Sequence, residues 1–150
     1  MIQKLSSHKR FEVKPVGSSV LGKPIYLIRA GTGAKKVLLW SQMHGDESTA
    51  TMALLDIFNY LKLEDGKQGF VTQLLERCTL YFIPMLNPDG AELFVRRNAQ
   101  QIDINRDAIF LQSPEARLLK SVRDSLQPDF GFNLHDQRKY YKKKKKRPAS

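Results

Sequence analysis

The pattern of apolar and polar positions predicts three strands that are buried on both faces. Each is a nearly continuous apolar run of the length expected for a strand in an α/β sheet. These runs are residues 36–41, 78–86 and 129–135. Two shorter strands are predicted closer to the N-terminus, at residues 11–16 and 24–29, where glycine and serine separate the apolar segments.

Apolar residues at three- and four-residue spacing predict helices between these strands. The first helix covers residues 47–62 and is closed by Asp65-Gly66, and a shorter helical stretch is predicted near residues 71–76. The last helix begins at Ser113-Pro114, a hydroxyl cap followed by a proline in the first turn, and ends before Pro128. The alternation of strands and helices predicts an α/β fold with a mixed, mainly parallel sheet flanked by helices.

Polar side chains collect where the three buried strands end. The polar segments are residues 42–47, 87–90 and 135–136. In open α/β sheets, ligands bind outside the carboxyl ends of the strands. We therefore expect these three loops to converge on one site.

Two of these segments contain residue types that bind zinc. His44 and Glu47 are three positions apart at a strand-to-helix turn, and His135 could supply a second imidazole. Two histidines and a glutamate, with water in the fourth position, form a catalytic zinc arrangement. The same residues also fit a surface turn with a helix-start acid and a histidine satisfied at a strand end, so this pattern alone leaves both interpretations open.

Length and composition narrow the class of protein. The chain has 150 residues, 41% of them hydrophobic, which is typical of one globular domain. A single cysteine excludes an intrachain disulfide framework. No apolar run has the length of a membrane span, and the N-terminus lacks the apolar stretch of a secretory signal, so a cytoplasmic location without a membrane is the default expectation.

The net charge of +10 is concentrated at the C-terminus. Residues 138–147 contain eight basic groups, and without them the chain has 17 basic against 15 acidic residues, a net charge of +2. A nucleic-acid-binding module would spread basic residues over a folded face, so a nucleic-acid partner is not expected. Residues 138–150 are instead predicted to be a disordered, basic, low-complexity tail.

Four motifs occur in a recognisable order: His-Gly-Asp-Glu at 44–47, Asn-Pro-Asp-Gly at 87–90, Arg-Arg-Asn at 96–98 ahead of Asp-Ile-Asn-Arg at 103–106, and a strand ending in His135. In this order the chain resembles the carboxypeptidase A-type zinc metallocarboxypeptidases, the funnelins. The resemblance covers about residues 11–137, and we assign residues 1–137 to a partial catalytic domain of this kind.

The resemblance implies a role for six residues. His44, Glu47 and His135 would bind one zinc ion. Arg96 would polarise the scissile carbonyl and stabilise the oxyanion. We prefer it to Arg97 because it stands seven residues before the Asp of Asp-Ile-Asn-Arg, a spacing that many members of the family share. Asn105 and Arg106 would hold the C-terminal carboxylate of a peptide or protein substrate, and the family reaction is zinc-assisted hydrolysis of the last peptide bond.

One element of the family site has no counterpart in the sequence. In the family the general base is a glutamate on a strand well beyond the third zinc ligand, whereas this chain has no acidic residue after Asp136. We therefore expect the N-terminal part of the domain, truncated at its C-terminal side. Since five consecutive lysines imply an adenine-rich codon run, we also hypothesise that residues 139–150 are the frame-shifted end of a longer gene, which resequencing of the locus would test.

Three alternatives remain at this point. The chain could belong to the related branch of succinylglutamate desuccinylases and aspartoacylases, which cleave acylated amino acids. It could be a non-catalytic zinc-binding fragment, as the missing base suggests. It could also bind nucleic acid or another anionic surface through its tail, with binding that weakens as salt rises.

Overall fold

The computed structural model describes residues 2–63 and 69–136, which form one mixed five-stranded sheet with helices on both faces. In chain order the elements are α1 (Ile2–Ser6), β1 (Phe11–Ser18), β2 (Pro24–Ala30), β3 (Lys35–Ser41), α2 (Thr49–Lys62), α3 (Phe70–Arg77), β4 (Cys78–Ile83), α4 (Pro88–Leu93), α5 (Pro114–Leu126) and β5 (Phe130–Leu134).

The strand order across the sheet is β1-β2-β4-β3-β5. β3 is parallel to both of its neighbours, β4 and β5. The antiparallel pairs β1–β2 and β2–β4 form the other half of the sheet. The predicted mixed α/β architecture is therefore confirmed, and its parallel half carries the strands whose ends were expected to meet.

Side chains alternate between two apolar cores, one on each face of the sheet. On one face, Leu54 and Phe58 of α2 pack with Phe82 of β4, together with residues of α1 and α3. On the other face, Leu118 and Val122 of α5 pack with residues of β2, β3 and β4. This explains why the central strands β3 and β4 are mostly apolar, since both faces of the sheet are covered by helices.

The predicted elements differ from the observed ones mainly at their ends. Strand β4 stops at Ile83 rather than at residue 86, because Pro84 cannot donate a hydrogen bond to the ladder. Helix α2 starts at Thr49, two residues later than predicted. Helix α1 was not predicted, and the predicted closure at Asp65-Gly66 lies outside the described residues, as do residues 137–150.

The Asn-Pro-Asp-Gly motif at 87–90 starts a helix that the sequence pattern does not predict. This segment begins α4: the Asn87 side chain accepts a hydrogen bond from the Gly90 N–H, and Pro88 occupies the first helical position. An asparagine cap followed by proline is a helix-start signal, because proline tolerates the first turn, where its missing N–H would have no partner.

A search of the described residues finds no helix with both the length and the apolar character needed to cross a membrane.

Candidate functional site

The candidate metal ligands come together because β3 and β5 are parallel neighbours. Ser41, the last residue of β3, is paired with Leu134, the last residue of β5. His44 and Glu47 lie in the turn after β3, and His135 follows Leu134 directly. The sheet register therefore brings together residues that are about ninety positions apart in sequence.

The Glu47 carboxylate lies between the two imidazoles. Its Oε1 is 2.8 Å from His44 Nδ1, and its Oε2 is 2.8 Å from His135 Nδ1. One ligand atom from each residue lies within 4.8 Å of the others. His44 and Glu47 are only 2% and 5% exposed, whereas His135 faces solvent. The cluster is thus buried on one side and open on the His135 side.

Asp103 fixes the far side of the His44 ring. Its Oδ1 is 3.1 Å from His44 Nε2, which leaves Nδ1 directed at Glu47. Its Oδ2 accepts a hydrogen bond from Arg96 Nε at 3.1 Å. Arg96 also donates through Nη1 to Glu47 Oε1 at 3.2 Å. Through these contacts, Asp103 and Arg96 connect His44 to Glu47.

The carboxylates of Glu47 and Asp103, buried and partly buried respectively, have a pKa below the ordinary value. Burial raises the pKa of Glu47, but the hydrogen bond with His135 and the charge of His44 outweigh that effect and lower it. Burial likewise raises the pKa of Asp103, and the hydrogen bond with His44 and the charge of Arg96 outweigh it. Both side chains are therefore anionic at neutral pH and suited to attract a cation.

Of the two adjacent arginines, only Arg96 reaches the cluster. Arg97 donates from Nη1 to the backbone carbonyl of Gln101 at 2.7 Å. Arg96 makes the two ion pairs described above, while nearly half of its side chain remains exposed. Arg96 is therefore the arginine whose side chain lies at the cluster.

Asp136 connects the end of β5 with the start of α2. Its carboxylate accepts hydrogen bonds from the Thr49 and Ala50 N–H groups, at 3.0 and 3.3 Å. Its own N–H donates to Glu47 Oε2 at 3.3 Å. A carboxylate at a helix N-terminus is stabilised by the unpaired amides there, so Asp136 holds the helix that follows Glu47 against the strand end that carries His135.

Asn105 and Arg106 lie next to the cluster but not in it. The Asn105 N–H donates to Asp103 Oδ1 at 3.1 Å, and the Arg106 N–H donates to the Asp103 backbone carbonyl at 3.0 Å. The Asn105 side chain lines a groove of about 190 Å³ together with Trp40 and Asn133. Arg106 is exposed. Asn105 thus borders a groove, and Arg106 is accessible to solvent.

Asp107 fixes the segment that follows these two residues. The buried carboxylate accepts hydrogen bonds from the Gln112 N–H at 2.9 Å and from the Ser113 N–H and hydroxyl at 2.7 Å each. Ser113 in turn caps α5 by accepting from the Ala116 N–H. Burial raises the pKa of Asp107, and these hydrogen bonds outweigh it and hold the pKa below the ordinary 3.8.

We expect Asp107→Asn to lower the free energy of unfolding by about 1–3 kcal/mol at neutral pH, because it replaces a charged acceptor of three hydrogen bonds. Since the pKa is lower in the folded state, this stabilisation is fully present above pH 3.8 and is lost as the pH falls through the folded-state pKa. Urea unfolding of both proteins between pH 3 and 7 should show the difference shrinking in acid. A difference independent of pH would contradict this explanation.

Comparison with known proteins identifies the family. A family model described as zinc carboxypeptidase matches residues 1–138. The chain belongs to the zinc carboxypeptidase family. Carboxypeptidase SOL1 of Arabidopsis thaliana is 30% identical over 98 residues, which are 61% of this chain and 20% of that protein.

Solved structures of zinc carboxypeptidases share the fold. A metallo-carboxypeptidase from Burkholderia cenocepacia is 25% identical with a TM-score of 0.82, over 91% of this chain and 39% of that one. A metallo-carboxypeptidase from Pseudomonas aeruginosa is 27% identical with a TM-score of 0.81, over 91% and 38%. The chain therefore spans about a fifth of the curated relative and about two fifths of the solved structures.

The residues of this chain fit the metal that the name of its family implies. Two imidazole nitrogens and one carboxylate oxygen are a common donor set of catalytic zinc sites. Their atoms lie within 4.8 Å of one another, so a single ion could contact all three. Asp103 orients His44 in the way that carboxylates orient zinc-bound histidines elsewhere.

The sequence interpretation assigned no role to Asp103, although its motif was noticed. The signal that could have identified Asp103 is the alternation of the buried Ile104 with polar residues on both sides. This alternation places Asp103 and Asn105 away from the core. What the sequence does not contain is the distance between Asp103 and His44, which are 59 positions apart.

Proposed function

We propose that residues 1–137 are part of a zinc metallocarboxypeptidase catalytic domain that hydrolyses the C-terminal peptide bond of peptides or proteins. His44, Glu47 and His135 would hold one zinc ion. The observation that carries the proposal is the convergence of these three donors, with an arginine that donates to the Glu47 carboxylate. Family membership makes hydrolysis of a peptide the reaction to test first.

Zinc and Arg96 would have different roles in the hydrolysis. When bound, zinc would act as a Lewis acid on the scissile carbonyl and on water. Arg96, held by Asp103 and still partly exposed, would donate hydrogen bonds to the oxyanion that develops on the substrate. In this role, Arg96 would exchange its hydrogen bond to Glu47 for one to the substrate.

Selection of a free C-terminus would rest on Asn105 and Arg106. A guanidinium binds a carboxylate through two parallel hydrogen bonds, and an amide adds a further donor. The exposed Arg106 and the groove-lining Asn105 lie within three residues of Asp103, whose carboxylate contacts His44 of the cluster. The Pseudomonas aeruginosa relative was crystallised with (2-guanidinoethylmercapto)succinic acid, a dicarboxylic acid, which supports carboxylate recognition in the family.

Metal binding without turnover is a second candidate function. Within the described ranges, the carboxylates that contact the cluster are Glu47 and Asp103, with Asp136 beside them capping α2. Glu47 is the proposed ligand and the other two have structural partners, so none of the three is free to accept a proton from water. Catalysis would then need a base from elsewhere.

Metal analysis together with hydrolysis assays tests these proposals. The chain, purified with added zinc, should hold one zinc ion and release the last residue from peptides with a free C-terminus but not from C-terminal amides. A zinc chelator should abolish the release. Absence of zinc binding would overturn the metal centre. Bound zinc without release would favour the second candidate, and cleavage of N-acyl amino acids instead of peptides would favour the desuccinylase branch.

A further inference from the structure

The side chain of Asn87 is completely buried and contacts two segments of the candidate site, the turn that carries His44 and the segment that carries Arg96. Its Nδ2 group donates to the backbone carbonyls of Met43 and Arg96, each at 3.4 Å. Met43 directly precedes His44, and Arg96 is the arginine that reaches Glu47 and Asp103. One amide group therefore joins the backbone on the histidine side to the backbone on the arginine side.

The backbones that Asn87 joins are packed without space for adjustment. The Gly45 N–H also donates to the Arg96 carbonyl, at 3.4 Å. A Cβ atom on Gly45 would lie 2.0 Å from the carbonyl carbon of Gly90, in the first turn of α4. The turn after β3 therefore lies directly on α4, and Asn87, at the start of α4, contacts both this turn and the Arg96 segment.

We propose that Asn87 is a positioning residue for Arg96 and His44, an inference that rests on the proposed metal centre. Its amide N–H₂ group holds the Arg96 backbone so that the guanidinium meets Glu47 and Asp103. Asn87 has a second role as the cap of α4, which its Oδ1 performs by accepting from the Gly90 N–H at 2.9 Å. The two roles use different atoms, so substitutions can separate them.

Two substitutions keep a side-chain oxygen that can cap α4 and remove the amide N–H₂ group that donates to the two carbonyls. Asn87→Ser shortens the side chain and retains a good cap residue. Asn87→Asp keeps the shape and places an oxygen opposite the two carbonyls. Asn59→Asp, the same chemical change at an exposed position of α2, is the matched control. Circular dichroism and a cooperative unfolding transition would establish that each variant folds.

The first measurement is the NMR signal of the Arg96 Nε–H, which donates to Asp103 and is assigned by its loss in Arg96→Lys. In the unsubstituted chain and in Asn59→Asp this proton should be protected from solvent exchange. In both Asn87 variants its protection should fall to that of exposed arginines. This experiment uses no metal and is therefore independent of the proposed function.

The second measurement is zinc affinity by competition with a chelator, with the visible spectrum of bound Co²⁺ as a probe of ligand geometry. We expect zinc affinity to fall about tenfold in both Asn87 variants, as for other residues that support metal ligands. The control should stay within about twofold. If the unsubstituted chain binds no zinc, the proposed function fails while the NMR result still decides the inference. Folded Asn87 variants with unchanged Arg96 protection would overturn the positioning role.

Discussion

Glu47→Gln should abolish stoichiometric zinc binding. Glu47 supplies the only carboxylate of the proposed donor set, and both of its oxygens face histidine nitrogens at 2.8 Å. Glutamine keeps the shape, but its neutral amide removes the negative charge that the two histidines stabilise and that pairs with Arg96 in the unsubstituted chain. The cation would then lose its charge partner as well as a ligand.

The effect can be measured as a stability difference. A ligand that binds only the folded chain adds about 2.7 kcal/mol to the free energy of unfolding at a hundred times its dissociation constant. Zinc should therefore raise the unfolding midpoint of the unsubstituted chain and leave that of Glu47→Gln unchanged. Glu76→Gln, the same change at an exposed position of α3, should respond like the unsubstituted chain. A zinc-dependent increase in Glu47→Gln would show that the metal binds elsewhere.

Phe58→Ala should lower the free energy of unfolding by about 3–5 kcal/mol. Phe58 is 1% exposed and lies on the face of α2 that packs on the sheet. Its ring meets Phe82 of β4 edge-on at 5.0 Å and Phe11 of β1 at 5.8 Å. The substitution would leave a cavity between the helix and two strands and remove two aromatic contacts.

Urea unfolding measures this loss, and a substitution at an exposed position of the same helix is the control. Met52→Ala changes an exposed residue of α2, and we expect it to alter the free energy of unfolding by less than about 0.5 kcal/mol. Because α2 follows Glu47 directly, Phe58→Ala should also weaken zinc binding, whereas Met52→Ala should not. A loss below 1 kcal/mol in Phe58→Ala would contradict the packing described for this core.

The strands and helices could be predicted because their signals are local. The apolar run that becomes β3 and the cap at Ser113 that begins α5 depend on neighbouring residues, and the structure places these elements within one or two residues of the prediction. Helix α4 was not predicted, because the first residues of Asn-Pro-Asp-Gly suit a turn and a helix start equally. The contact of Gly45 with α4 favours the helix.

The candidate ligands were also predicted from sequence, since His44 and Glu47 form a short motif and His135 ends a recognisable strand. The sequence could not decide whether these residues form a site or are unrelated surface groups. That decision depends on β5 pairing in parallel with β3, with Ser41 opposite Leu134. Strand pairing is a long-range interaction, and no local pattern encodes its partner.

By itself, then, the sequence determined the α/β alternation, the family resemblance and the types of residue available for a metal centre, because periodicity and motif spacing are properties of adjacent residues. Tertiary structure decided which of those residues meet. It directed Arg96 rather than Arg97 to Glu47, placed Asp103 behind His44 and buried Asn87 between the two loops. The physical reason is that each of these contacts joins segments brought together only when helices and strands pack on both faces of the sheet.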